Sequence, residues 1–82
     1  MWKDWKKSNR AFLIEIGVPE AVFEEEMRWY HFLEHGYDPG TEWEYDALSK
    51  ENLGRLCSFL ESIYTRGEFS SFIMELRSHI QK

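Results

Sequence analysis

At 82 residues the chain is one domain with little room for a deep active-site cavity, because a chain of this size buries only roughly 60% of its unfolded surface. A single cysteine rules out an internal disulfide, and no apolar run approaches the roughly 18 residues of a membrane span. The net charge of −5 is uneven: residues 1–19 carry four basic side chains against two acidic, residues 20–51 two against ten, and residues 52–82 four against three. An acidic middle repels nucleic acid and favours a basic partner. With no apolar leader in Met-Trp-Lys-Asp-Trp-Lys-Lys and one thiol, the expectation is a reduced, cytoplasmic protein without a cofactor. Aromatics make up 17% of the chain, generous for so small a core, so some rings are expected at the surface.

The first helix is expected over residues 3–16, with Trp2, Trp5, Phe12, Leu13 and Ile16 on one stripe and Gly17 as its stop. Asn9 interrupts that stripe. Pro19 opens a second helix that runs to His35 and stops at Gly36. Its apolar arc is Val22, Phe23, Met27, Trp29, Tyr30 and Leu33, and Glu26 falls near the centre of that arc as a misfit. Glu20, Glu24, Arg28, His31 and His35 make up the opposite arc.

Residues 36–48 carry no helical pattern. Asp38-Pro39-Gly40 is a turn signal, with Gly40 free to take positive φ. Thr41 to Tyr45 alternates like a strand, but no other stretch reads as a strand to pair with it, so an extended loop is expected. Ser49 caps a third helix whose arc is Leu53, Leu56, Cys57, Phe59, Leu60, Ile63 and Tyr64, ending at Gly67. A fourth helix spans roughly 69–81 with Phe69, Phe72, Ile73, Leu76 and Ile80 inward and Met74 outward. The sum is a single all-α domain over residues 1–82, a small four-helix bundle with a longer acidic and aromatic connection between its second and third helices.

His31-Phe32-Leu33-Glu34-His35 is an H-x-x-E-H sequence. It resembles the zinc-binding helix of the inverted-motif metalloproteases of the pitrilysin and insulysin type. That resemblance implies zinc on His31 and His35 and water activation by Glu34. It spans five residues, and the family's downstream acidic ligand and larger α/β domain have no counterpart in the helical remainder. Both imidazoles lie on the polar arc, so solvated side chains are expected, a surface metal being the other reading. Asp38, Glu42, Glu44 and Asp46 do not fit a calcium loop of the EF-hand type: Gly40, Trp43 and Ser49 stand where ligands or a glycine are needed. Cys57 sits on a core arc without a His or Asp partner and reads as a buried thiol. Glu26 reads as paired with Lys6 or Arg10, or as solvated near the helix start.

No catalytic constellation stands out, and the chain is expected not to be an enzyme. The central segment reads as the partner-binding surface, through Glu34, Tyr37, Asp38, Glu42, Trp43, Glu44, Tyr45 and Asp46. Aromatic anchors among carboxylates combine buried contact area with steering toward a cationic target. The competing reading folds Tyr37, Trp43 and Tyr45 back as a lid while the acids solvate. In size, acidity and helical character the chain is similar to the small bacterial immunity proteins that neutralise nuclease toxins, though it carries none of the colicin immunity group's motifs. That likeness implies a monomeric or weakly dimeric inhibitor of a basic partner. A phage-encoded inhibitor of a host enzyme, a structural or adaptor subunit, and a metal-dependent hydrolase built on His31, Glu34 and His35 are the alternatives.

Overall fold

The computed structural model describes all residues, Met1–Lys82. It is an all-α four-helix bundle: α1 Trp2–Ile16, α2 Glu26–His35, α3 Lys50–Ile63 and α4 Ser70–Ile80. Two 3₁₀ turns, Glu20–Phe23 and Tyr45–Ala47, precede α2 and α3. No helix is long and apolar enough to cross a membrane.

α1 ends as the sequence suggests. Gly17 takes φ 103°, the Val18 N–H reaches the Leu13 carbonyl at 2.9 Å and the Gly17 N–H reaches Ile14 at 3.0 Å. This is a Schellman termination, and it turns Val18 into the core. Asn9 is accommodated locally, because its amide donates to the Trp5 carbonyl one turn back, at 2.9 Å. α3 is the clearest element. The Ser49 hydroxyl accepts the Asn52 N–H at 3.2 Å, and Leu53, Leu56, Cys57 and Leu60 are buried along one stripe. It stops at Ile63, short of the expected Gly67, where Tyr64 leaves helical geometry and its hydroxyl oxygen accepts the Trp29 indole N–H at 2.9 Å. α4 buries Phe72, Ile73 and Leu76 against α3 and leaves Met74 exposed.

The second helix differs from expectation. Instead of one helix from Pro19 to His35, the chain makes the 3₁₀ turn Glu20–Phe23, extends at Glu25 (φ −125°, ψ 150°) and restarts at Glu26. A continuous helix would carry Val22, Phe23 and Trp29 on one stripe with Glu26 at its centre. An unpaired carboxylate there would lose its hydration. The break re-phases the helix: Glu26 moves to solvent at its first position, where its carboxylate accepts the Tyr30 hydroxyl at 3.2 Å. It pairs with neither Lys6 nor Arg10; both of those bind Glu20 instead. Met27 and Tyr30, expected inside, are 83% and 39% exposed, whereas Phe32 is fully buried.

The core is largely aromatic through its middle. Trp5 packs on Trp29 with ring centroids 5.3 Å apart, Trp29 on Phe32 at 5.7 Å, and Phe32 on Phe72 at 5.3 Å. Cys57 is buried, and its thiol donates to Glu61 at 3.3 Å; burial, and then the Glu61 carboxylate, push its pKa up.

The re-phased α2 makes a direct test. Phe32→Ala should lower unfolding stability by about 3–5 kcal/mol. Met27→Ala should stay within about 0.5 kcal/mol. Chemical denaturation of both variants checks this, and the reverse order would restore the continuous helix.

Candidate functional site

The central connection is a small folded unit. The Asp38 N–H donates to the Trp43 carbonyl at 2.8 Å, and the Tyr45 N–H to the Gly36 carbonyl at 3.1 Å. Tyr37 and Glu44 form an antiparallel bridge between them. The strand-like alternation of Thr41 to Tyr45 therefore does find a partner, and that partner is residues 36–38 of the same connection. The turn closes with the Glu42 N–H on the Asp38 carbonyl at 2.7 Å. The residue with positive φ is Glu42, at 61°, and not Gly40.

The unit is held by Asp38, which is completely buried. Arg28 grips its carboxylate with both ends of the guanidinium fork, Nε to Oδ1 at 3.1 Å and Nη2 to Oδ2 at 2.6 Å. Thr41 adds its backbone N–H at 3.0 Å and its hydroxyl at 2.6 Å, both to Oδ2. Gly40 is needed for close approach: a Cβ there would lie 3.0 Å from the Arg28 Cζ and run into the guanidinium. Burial alone would raise the Asp38 pKa. The hydrogen bonds from Arg28 and Thr41 overcome it and hold the carboxyl at about 2, below its ordinary 3.8.

The residues singled out in the sequence separate into two groups. Asp38 and Tyr45 are corrected from surface contacts to structural ones. Asp38 has no exposed surface, and its carboxylate is already engaged. Tyr45 is 8% exposed and lies edge-on against Phe72 at 5.4 Å and His79 at 5.1 Å. Burial, and then Glu75, push its hydroxyl pKa up to about 12. Trp43 is half-buried, with its ring 5.6 Å from Phe32, so it partly closes the core. Tyr37 is 40% exposed and leans on His31 at 5.1 Å. Glu34 is exposed beside His35, at 3.9 Å. Glu42, Glu44 and Asp46 are exposed and enter no ion pair, so the connection presents a ledge of three free carboxylates beside a partly exposed indole. Arg28, Thr41 and Gly40, which set this ledge, are not among the site residues read from sequence, where Gly40 figures only as a turn glycine. The one signal was a Thr three residues after an Asp, the spacing of a side chain that closes its own turn.

His31 and His35 lie with ring centroids 4.5 Å apart and planes tilted by 48° at the C-terminal end of α2, and the His31 Nδ1 lies 3.3 Å from the Tyr37 carbonyl. No group of three or more His, Cys, Asp or Glu side chains is placed to hold a metal ion. Asp38 is not free to ligate a cation, since its oxygens serve Arg28 and Thr41. Compared with known proteins, the chain matches no family model, no curated protein and no solved structure.

The depressed Asp38 pKa ties stability to pH. The folded state favours the ionised carboxyl, so the contribution, about 2 kcal/mol, is complete above about pH 5. It is lost as pH falls through the window from 3.8 to about 2. Acid titration of unfolding stability should show this loss in the native protein and a shallower slope in Asp38→Asn. At neutral pH, Arg28→Ala strands the buried carboxylate and should cost about 3 kcal/mol or more.

Proposed function

We propose that the chain is a small acidic binding protein that inhibits a basic protein partner by occluding its surface, with a nuclease-type toxin as the kind of partner that fits best. One observation supports this: Glu42, Glu44 and Asp46 stand free and exposed on a backbone pinned from beneath by the Asp38–Arg28 clamp. Charge held in a fixed geometry meets a cationic surface at less ordering cost than charge on a floppy loop. An enzyme that grips polyanionic substrate presents such a cationic surface, and a rigid row of carboxylates competes for it. Trp43 supplies the apolar anchor and Tyr37 a further aromatic contact, while the charges steer encounter. The protein acts as a monomer or weak homodimer, without metal or cofactor.

Products of the flanking genes are the first partners to test, by copurification with the tagged protein. A basic protein should be recovered, with its activity blocked in the complex. Changing Glu42, Glu44 and Asp46 together to Lys should slow association strongly and leave the melting temperature nearly unchanged, and added salt should slow the wild type. Trp43→Ala should speed dissociation, at a cost of about 2 kcal/mol in affinity. Unchanged kinetics in the folded triple variant would remove the ledge as the interface.

A further inference from the structure

At the other end of α2, about 13 Å of helix rise from His35, lies a groove of about 620 Å³ between the start of α1, the start of α2 and the end of α3. Its size is that of a ligand site. Its lining is aromatic and apolar but for the Glu26 carboxylate and the α-ammonium of Met1, which faces Asp4 at 4.0 Å. Trp2 and Trp5 stack with ring centroids 4.5 Å apart and planes 14° from parallel. Tyr30 and Tyr64 face the same space, with Ile63 at 36% exposed beside them.

The lining is held in place. The Trp2 indole N–H donates to the Glu24 carbonyl at 3.4 Å, tying α1 to the approach to α2. The Tyr64 hydroxyl accepts the Trp29 indole N–H, and the Tyr30 hydroxyl donates to Glu26. Glu26 has no ion-pair partner, and no Lys or Arg lines the groove; Lys6, on the nearby face of α1, is turned to Glu20 at 3.4 Å. With the Met1 ammonium paired to Asp4, the groove keeps one carboxylate without a cationic partner. A cation there gains both the ring quadrupoles and the carboxylate.

The ring geometry selects the cation. A spherical trimethylammonium is held by rings standing around it as walls. Trp2 and Trp5 instead lie in one flat pile, a surface for a flat ion. A guanidinium stacks on such a surface and turns its fork to a carboxylate, which an ammonium cannot do.

We propose that this groove docks an arginine side chain of a partner protein, with the guanidinium on the Trp2–Trp5 stack and against Glu26 and the arginine's apolar neighbours on Ile63 and Tyr64. The site lies apart from the carboxylate ledge and does not require it. It adds a second contact, specific for arginine and not for positive charge in general.

The test uses the whole protein and the peptide acetyl-Gly-Leu-Arg-Leu-Gly-amide, followed through the indole N–H resonances of the four tryptophans. Trp2 and Trp5 should shift saturably while Trp43 stays still. Peptides with Gln or trimethyl-lysine in place of Arg should bind about fivefold or more weakly. Glu26→Gln should weaken the Arg peptide about tenfold, as one charged hydrogen-bonded contact does. Because Glu26 is exposed, that variant should keep the wild-type melting temperature. Trp2→Ala should weaken the Arg peptide likewise. No saturable shift, equal binding of the Gln peptide, tighter binding of trimethyl-lysine, or an unchanged affinity in Glu26→Gln would each overturn the assignment. A shift confined to Trp43 would overturn it too, and would put the arginine on the ledge instead. The peptide binds the protein alone, so failure here leaves the ledge proposal standing, and the reverse also holds.

Discussion

A carboxylate without access to water governs the end of the molecule where α2 gives way to the connection. Burying Asp38 unpaired would cost several kcal/mol, so its position is tolerable only while Arg28 and Thr41 surround it. That requirement works in both directions. It fixes the first turn of α2, through Arg28, to the connection, and it fixes the connection's own turn through Thr41. Gly40 follows from it, since any side chain there would displace the guanidinium. The outward pose of Glu42, Glu44 and Asp46 is then a consequence of one inward-facing acid.

The same economy runs through the core. Trp29 is fully buried and carries a polar N–H, which Tyr64 accepts from the frayed end of α3. No buried side-chain nitrogen or oxygen is left without a partner. The early end of α3 is therefore what satisfies the largest ring in the core. Phe69, at the far side of the same turn, takes a left-handed backbone (φ 57°) that is uncommon for an aromatic residue. Its ring packs against Tyr64 and Tyr30, 4.9 and 5.8 Å away, which compensates for the backbone cost.

α3 and α4 were legible because their apolar positions keep a 3.6-residue period and their ends carry recognisable signals, Ser49 above all. α2 was half legible. Glu26 in the apolar arc was visible as a conflict, but the conflict resolves by breaking the helix, and a helical wheel assumes the helix it is drawn on. Phe32 was lost from the core for that reason. In the connection, the aromatic and acidic interleaving was plain, and so was the turn. Which acid points inward was not. Asp38 differs from Glu42, Glu44 and Asp46 through Arg28, ten residues earlier, brought near by the end of α2. No local spacing rule encodes that contact. The groove at the other end of α2 likewise joins residues from three helices, and only the packed fold assembles it.

The break at Glu25 also shapes how the chain reaches its native state. It leaves α2 with 10 residues, below the length at which a helix persists alone in water, as α4 with 11 also is. α3, with 14, and its close neighbour α4 form the most local pairing of the bundle. That hairpin can assemble with little loop-closure entropy. α2 packs against α4, and its first turn is tied to the connection where Arg28 meets Asp38. On loop-closure grounds the α3–α4 hairpin is the least costly place for tertiary contacts to begin.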